Sequence, residues 1–407
     1  MIEVTHSLDA AVARVVADGN CSGCGACTLL DPGLSMQLSP EGFMRPVRVS
    51  RGGSARADPV TEFAEICPGR IVSSPHPDSA ERHPQLGSYL EAWSVWATDP
   101  DARFRGASGG VLTSLSAWLT QTGRADRVFG AGPDVNPRRT VSVTITDRKT
   151  ALAAAGSRYA PVAALVSQHV LDPRSAVITK PCEASALHRL LDGREPEERP
   201  LILSFFCAGV PSQHATDALV RELGVPDEED LTALRYRGSG WPGRFTASTA
   251  SRDVSMDYRT SWGKRLGPTM QWRCKICPDG VGESADLAVC DFWEVDERGY
   301  PRFDEDDGKS GLLVRTERGR RLLHDALAEG VLDGAPVRAE GIAAVQPGQT
   351  GRRETLFGRL MGARLGGVRV PRYRGFPLAR LALIDVRLSI RHARGAFKRV
   401  RAGRVGR

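Results

Sequence analysis

The sequence lacks the signatures of several common enzyme classes and of membrane proteins. Neither the HExxH run of zinc proteases nor the Walker A run of P-loop NTPases occurs in its 407 residues, and the eight histidines give little support to a hydrolase. No stretch approaches the roughly 18 apolar residues of a membrane-spanning helix. The first twenty residues, MIEVTHSLDAAVARVVADGN, contain acidic residues and no unbroken apolar run. We therefore expect no export signal and a cytoplasmic protein.

Charge is unevenly distributed along the chain. The formal net charge is +7, but residues 351–407 contain 16 Lys and Arg and only 2 Asp and Glu. The first 350 residues are therefore mildly acidic, with a balance of −7. Apolar residues make up 41% and charged residues 25%, as in an ordinary globular protein. The length allows two or more domains, and the basic character belongs to a C-terminal tail.

Composition predicts three parts along the chain. Residues 1–80 are rich in Gly and Pro and end in a linker-like stretch, SSPHPDSAERHPQ. Residues 87–340 alternate strand-like runs (AWSVWAT, SAVIT, LILSFFC) with helical stretches, which predicts an α/β body around a mainly buried sheet, with α+β as the alternative. Residues 341–407 form the basic tail, with a helix beyond Pro377.

Three cysteines at two-residue spacing stand near the N-terminus, in NCSGCGACTLLDPG. Nine cysteines without an export signal indicate metal or redox chemistry rather than disulfides. A bacterial ferredoxin run would add a fourth cysteine followed by proline, but Asp31 stands there, and a carboxylate suits an iron–sulfur cluster less well. The next cysteine, in EICPGR, is also followed by proline. We therefore predict a ferredoxin-like [4Fe-4S] segment, with zinc as the alternative; its ligands would be Cys21, Cys24, Cys27 and Cys67.

Four further cysteines form a second candidate set. Cys274 and Cys277 make a CxxC pair, which alone is compatible with zinc, a redox dithiol or a cluster. Cys182 and Cys207 each follow an apolar predicted strand and precede a turn or a helix, so both could face the same edge of the sheet. Cys290 is left over, either as a small buried residue or as an alternative ligand.

Several short motifs in order along residues 15 to 335 resemble one protein family. These are CSGCGAC, RGASGGVLTSL, GSRYAP, KPCEASAL, FFCAGVPS, YRGSGWPGRF, RCKICPDGVGESADLAVCDFW and GKSGLLVRTERG. The chain is similar to the beta subunits of coenzyme F420 hydrogenases and dehydrogenases (FrhB/FdhB-like), a family that includes 7-hydroxymethyl chlorophyll a reductase. The resemblance implies FAD and two [4Fe-4S] clusters, one of them held by Cys182, Cys207, Cys274 and Cys277.

The resemblance also implies a flavin site. Ser108, Gly109 and Gly110 precede a predicted helix, whose N-terminus could bind the FAD pyrophosphate, although an N-cap with a close packing contact explains the same residues. Lys180 is the candidate catalytic residue, because a cation near flavin N1 stabilises the anionic reduced form. The other expected cofactor-binding residues are Ser157, Arg158, Tyr159, Trp241 and Arg244. Solvated arginines and a core tryptophan are the alternatives.

These features favour an oxidoreductase that couples hydride transfer at FAD to one-electron transfer through two clusters. The substrate is expected to be a small molecule, either a deazaflavin such as coenzyme F420 or another organic compound. The alternatives are a non-catalytic electron-relay subunit and a zinc-stabilised binding protein. A mixed-sheet flavin-binding body with an iron–sulfur segment and a basic helical tail is the predicted architecture.

The tail pattern predicts an amphipathic basic helix. Apolar residues recur at alternating three- and four-residue steps, and basic residues follow one position later. The apolar positions are Leu383, Val386, Ile390, Ala393, Phe397 and Val400, and the basic ones are Arg387, Arg391, Arg394, Lys398 and Arg401. Either the apolar stripe packs on the body, or the helix binds an acidic electron-transfer partner such as a ferredoxin, or anionic lipid. Nucleic acid is disfavoured because the main body is acidic.

Overall fold

A mixed sheet of eight strands forms the centre of the molecule. The computed structural model describes residues 7–50, 56–294, 302, 306–403 and 405. Its strands, in chain order, are β1 (Leu34–Leu38), β2 (Met44–Arg48), β3 (Ile71–Ser73), β4 (Glu81–His83), β5 (Gly87–Tyr89), β6 (Glu91–Ala97), β7 (Arg127–Pro133), β8 (Thr140–Ile145), β9 (Ser175–Thr179), β10 (Leu201–Phe205), β11 (Ala233–Arg235), β12 (Arg244–Ser248), β13 (Asp253–Asp257), β14 (Leu287–Asp291), β15 (Ser310–Val314), β16 (Leu332–Pro336) and β17 (Arg372–Arg374).

The strand order in the large sheet is β16, β6, β15, β14, β10, β9, β7 and β8. The inner strands β14, β10, β9 and β7 run parallel, and the other neighbours pair antiparallel. Continuous apolar runs such as SAVIT and LILSF fit parallel strands that are buried on both faces. The predicted mixed sheet in an α/β protein is therefore confirmed. The smaller sheets pair β1 with β2, β4 with β5, β17 with β3, and β12 with both β11 and β13.

Helices connect the strands and cover both faces of the large sheet. They are α1 (Leu8–Ala17), α2 (Ala26–Leu30), α3 (Pro59–Ile66), α4 (Pro100–Arg105), α5 (Val111–Gln121), α6 (Arg148–Ala153), α7 (Pro181–Leu190), α8 (Gln213–Glu222), α9 (Tyr258–Thr260), α10 (Trp272–Lys275), α11 (Glu317–Ala328), α12 (Ala339–Ala344), α13 (Pro347–Leu365), α14 (Leu378–Ala382) and α15 (Val386–Arg401). Short 3-10 turns lie at Gln168–Leu171, Pro196–Glu198 and Gly267–Thr269, and a π-helical turn at Ser261–Leu266.

Alternating side chains of the strands pack into two apolar cores, one on each face of the large sheet. Leu203 and its neighbours on one face pack with α5 and α11. Ile202 and Val177 on the opposite face pack with α7 and with apolar residues of α1, α2 and α3. The N-terminal cysteine segment therefore shares a core with the sheet. The division into parts 1–80, 87–340 and 341–407 stays a prediction.

The predicted tail helix is present as α15, preceded by the short α14. It runs beside α13 with small residues at the contact, because a side chain at Gly358 or Gly362 would overlap the backbone of Ser389 or Ala393. Four residues of the predicted apolar stripe are not buried: Leu383, Val386, Ile390 and Phe397 are 40–73% exposed. Helix α15 therefore packs on α13 with its face of small residues, and not with its face of large apolar residues.

Candidate functional site

One edge of the large sheet brings together most of the predicted site residues. Because β9 and β10 are parallel neighbours, their carboxyl ends meet at the same edge. Cys182 begins helix α7 just after β9, and Cys207 lies two residues beyond β10. The prediction that these two cysteines share an edge is therefore confirmed by the strand pairing.

The CxxC loop packs against the same edge. The Cys274 thiol accepts a hydrogen bond from the backbone N–H of Val210, at 3.4 Å, close to Cys207. Arg352 of α13 holds both segments, because its guanidinium donates to the carbonyls of Cys207 (3.0 Å) and Cys274 (3.5 Å). The pKa of the Cys207 thiol is raised to about 12. Burial is the main cause, and the charges of Cys274 and Cys277 add to it. The four cysteines thus lie in one neighbourhood.

The N-terminal cysteines line one small pocket. Cys21, Cys24, Cys27 and Cys67 all line this pocket, whose other walls are mainly apolar side chains such as Phe63 and Ile66 of α3. Gly25 begins α2 with φ +90°, and a side chain there would press on the Leu165 backbone at 2.8 Å, so the loop turns tightly. Burial raises the pKa of Cys24 to about 11. Four thiols in an apolar pocket fit the ligand set of an iron–sulfur cluster.

Asp31 does not line this pocket. Its carboxylate forms an ion pair with Arg48 at 2.9 Å and accepts the backbone N–H of Gly33 at 2.8 Å. Cys67 ends α3 inside the pocket instead, immediately before Pro68. Cys67 is therefore the fourth cysteine that lines the pocket with Cys21, Cys24 and Cys27.

A buried arginine lies between the two cysteine sets. Arg273, next to Cys274, donates to the carbonyl of Pro68 at 3.0 Å, and Pro68 follows Cys67 of the first set. The pKa of Cys182 is raised by burial, and among the charges that raise it further are Cys24 of the first set and Cys207 of the second. The two sets are therefore close enough to interact electrostatically. Among the described residues no group of three or more His, Cys, Asp or Glu is already arranged to hold a single metal ion.

Cys290 belongs to neither set. It lies on β14, is 6% exposed, and packs with Leu86, Leu313 and Ile342 in a separate apolar cluster. Its thiol occupies the space beside Gly311 of the neighbouring strand, where a side chain would approach it to 2.8 Å. The small buried residue, rather than the alternative ligand, is the interpretation that fits this position.

The glycine-rich loops meet further along the same edge. The carbonyl of Gly109 accepts the N–H of Ala97 at the end of β6, and its own N–H donates to Ser310 at 3.0 Å. Ser108 donates to the carbonyl of Lys309 at 2.8 Å. Helix α5 begins at Gly110 with no side chain capping it. Its first N–H groups are thus available to a ligand, although close packing of Gly109 and Gly110 on the backbone also accounts for these glycines.

An aromatic cage encloses a buried arginine beside these loops. Arg237 lies with its guanidinium 4.5–5.2 Å from the ring centres of Trp241, Tyr258 and Trp293, and it forms an ion pair with Asp291 at 2.7 Å. Its Nη2 atom is buried without a hydrogen-bond partner. The sequence analysis singled out Trp241 but not Tyr258 or Trp293, which come from separate segments of the chain.

Other predicted flavin contacts are engaged elsewhere. Arg158 donates to Thr140 and to the carbonyls of Pro137, Arg139 and Leu234. Arg244 is exposed and donates to Ser255 on the neighbouring strand at 2.9 Å.

Tyr159 and Lys180 occupy different surroundings. Tyr159 packs on Trp262, with ring centres 4.6 Å apart, and its hydroxyl accepts from Arg237 at 3.4 Å, so it belongs to the aromatic cage. Lys180 is 6% exposed, forms an ion pair with Glu183 and donates to the carbonyl of Val162 at 2.7 Å. Burial lowers its pKa, but the charges of Glu183 and Cys182 reverse that effect and leave the pKa raised. Lys180 is thus a cation beside the second cysteine set.

The fold and the site define a class of mixed α/β proteins in which two cysteine sets lie next to each other beside the sheet. Two family models match the chain: the coenzyme F420 hydrogenase/dehydrogenase beta subunit N-terminal model over residues 92–169 and the corresponding C-terminal model over residues 172–340. The chain belongs to this family of oxidoreductase subunits, as the sequence motifs predicted.

Individual relatives are distant. The chain is 23% identical to a coenzyme F420 hydrogenase subunit beta of Methanococcus voltae, with 65% of this chain and 88% of the relative aligned. It is 24% identical to the corresponding protein of Methanothermobacter thermautotrophicus, over 62% of this chain and 86% of the relative. A chain from the F420-reducing [NiFe] hydrogenase complex of Methanosarcina barkeri has a similar fold, with TM-score 0.52 and 19% identity over 72% of this chain and 98% of that one.

Proposed function

We propose that this protein is an iron–sulfur flavoprotein that exchanges electron pairs with an organic substrate and single electrons with a protein partner. One observation carries the proposal: the second four-cysteine set and an uncapped helix N-terminus beside an aromatic cage lie along the same edge of one sheet, and Arg273 joins the first four-cysteine set to the second. Such an edge is where α/β proteins commonly bind ligands. Family membership supports the same function.

The cysteines would hold two [4Fe-4S] clusters, one in each set. Burial raises the pKa of Cys24 and Cys207, so these thiols would lose protons on binding metal. Arg273 and Lys180 place two buried positive charges next to the second set. These charges would offset the negative charge of thiolate-bound clusters and raise their reduction potentials.

The flavin would lie where the glycine-rich loops meet. When bound, FAD supplies the conversion between two-electron and one-electron transfer. The N–H groups at the start of α5 would bind its pyrophosphate, with Ser108 to Gly110 allowing close approach. Trp241 and the unpaired Nη2 of Arg237 would contact the ring or an acidic substrate. Contacts from Ser157, Tyr159, Arg158, Arg244 and Lys180 stay proposals, and the last three would have to give up or share their present partners.

The family name favours coenzyme F420 as the electron donor or acceptor, and an acidic ferredoxin-like protein fits the one-electron side. A relay subunit without its own substrate is the second candidate, because the structural relative comes from a hydrogenase complex. The proposed compartment is the cytoplasm.

Metal and flavin analysis of the anaerobically purified chain tests the cofactors. We expect about eight irons and about one FAD per chain, from two four-iron clusters and one flavin site. Cys67→Ser should lose about half of the iron and keep FAD, whereas Asp31→Ala should keep all of it, because Asp31 pairs with Arg48 outside the pocket. Zinc without visible absorbance, or iron loss in Asp31→Ala alone, would contradict the assignment.

Substrate assays separate the enzyme from the relay. Reduced F420, NADH, NADPH and reduced ferredoxin are offered one at a time, and bleaching of the flavin and cluster bands is followed under anaerobic conditions. Turnover of a small-molecule donor by the isolated chain supports the enzyme. Bleaching by ferredoxin alone supports the relay.

A further inference from the structure

The tail helices expose a row of large apolar side chains. These residues are 38–74% exposed; they are Phe357, Met361 and Leu365 on α13, and Val386, Ile390 and Phe397 on α15. Leu383 and Ile384, in the turn before α15, are 73% and 64% exposed. Single exposed apolar residues are common, but a contiguous group of this size indicates a binding surface.

The two rows lie on the same side of the helix pair. The contacts at Gly358–Ser389 and Gly362–Ala393 advance together along both helices, so α13 and α15 run parallel. The exposed row of α13 lies one residue before its contact glycines, a rotation of about −100°. On α15, Ile390 follows the contact residue Ser389 by one position, a rotation of about +100°. In a parallel pair these opposite rotations direct both rows to one face, which we call the tail face.

Positive charge borders the tail face. Arg387, Arg391, Arg394, Lys398 and Arg401 are exposed on α15, each one residue beyond the apolar or small positions. Residues 351–407 include only two acidic side chains, Glu354 and Asp385, against 16 basic ones. The first 350 residues carry a formal net charge of −7, so the excess of positive charge is confined to the tail. An apolar strip edged by arginine and lysine matches the boundary between lipid headgroups and acyl chains.

We infer that the tail face binds the surface of an anionic lipid bilayer. The contact is interfacial, since no helix within the described ranges is long and apolar enough to cross a membrane. A purely acidic protein partner would account for the charges but leave the aliphatic and phenyl groups in water. The lipid interface accounts for both features. This inference does not depend on the cofactors proposed above.

Membrane binding would orient the redox site. On its other sides α13 packs Leu356 and Leu360 against Trp272 and Ile276 of the second cysteine loop. Arg359 donates to the carbonyl of Lys275 at 3.0 Å. The tail face therefore lies on the same helix that supports Cys274 and Cys277, and bound lipid would be separated from that loop by little more than α13.

Vesicle co-sedimentation of the full chain, purified anaerobically, tests the inference. We use phosphatidylcholine vesicles with and without phosphatidylserine, at low and high salt. We expect binding to the anionic vesicles only, weakened by salt. Arg391→Glu/Lys398→Glu should weaken binding by at least about tenfold, since each basic group near an anionic surface is worth about fivefold. Ile390→Ser/Phe397→Ser should have a similar effect, because each buried methylene contributes a comparable amount.

Matched controls change the same residue types elsewhere. Val135 is 99% exposed and the Arg338 side chain 87% exposed, and neither belongs to the tail face, so Val135→Ser/Arg338→Glu should bind like the parent. All substituted positions are exposed, and unchanged melting temperatures verify folding. The inference is overturned if the parent does not bind anionic vesicles, if Ile390→Ser/Phe397→Ser binds normally, or if that variant instead dissolves a dimer seen by light scattering.

Discussion

Replacing either of two glycines on the same helix with alanine should change the free energy of unfolding, but in opposite directions. Gly362 and Gly351 both lie within α13. A methyl group on Gly362 would lie 2.7 Å from the carbonyl carbon of Ala393 and closer still to its oxygen. Nothing lies within 4 Å of the corresponding position on Gly351. Gly362→Ala therefore tests the contact between α13 and α15, and Gly351→Ala is its control.

The expected magnitudes follow from these surroundings. Alanine in a helix is more stable than glycine by about 0.5–1 kcal/mol, which Gly351→Ala should gain in full. Gly362→Ala gains the same helix stability, but its methyl group overlaps the backbone of Ala393. That backbone can move only if the whole of α15 moves. Overpacking of this kind costs about 1–3 kcal/mol. We expect a net loss of about 1–2 kcal/mol of unfolding free energy, or local separation of α15.

Urea unfolding and limited proteolysis measure the two possibilities. Global destabilisation moves the urea midpoint of Gly362→Ala below that of the parent, and separation of α15 makes its many Arg–X bonds sensitive to trypsin. Gly351→Ala should show a higher midpoint and parental protease resistance. If Gly362→Ala gains stability like Gly351→Ala and stays resistant, α15 does not pack on the glycine face, and the orientation of the tail face falls with it.

Three further predictions concern the cysteine sets. Cys274→Ser should impair electron transfer and stability more than Cys67→Ser, because the second set also anchors the loop held by Arg352; stopped-flow reduction and melting temperatures compare them. Lys180→Met should lose about 3–5 kcal/mol of stability by leaving the buried Glu183 unpaired, and adding Glu183→Gln should recover part of it in urea unfolding. Arg273→Gln should shift the cluster potentials negative in EPR-monitored titrations, and unchanged potentials would remove its electrostatic role.

The sequence predicted which cysteines lie near each other, because spacing and strand context are local signals. Cys182 and Cys207 follow apolar runs, and parallel pairing of β9 with β10 brings them together as predicted. The choice of Cys67 over Asp31 as the fourth ligand stays a prediction, and the pocket, which Cys67 lines, fits it. The structure adds a reason to set Asp31 aside, since Arg48, on the neighbouring β2, occupies the carboxylate.

Long-range packing limited the rest of the prediction. The cage around Arg237 joins residues from four segments, and no spacing rule connects Tyr258 or Trp293 to it. Arg158 matched a family motif, yet four groups of the protein itself accept its hydrogen bonds. A motif indicates which residue types recur together, but it does not say whether a cation faces a ligand or the protein's own carbonyls.

The tail shows the same limit at the level of a helix face. Periodicity correctly predicted a helix with an apolar stripe, and the simplest expectation was that the stripe would be buried. Close approach to the glycines of α13 instead required small residues, so Ser389 and Ala396 are buried while Ile390 and Phe397 remain in contact with water. Removing α14 and α15 would uncover α13 and disturb the cysteine loop behind it. Point substitutions on the exposed side therefore separate surface binding from folding, whereas a truncation would confuse them.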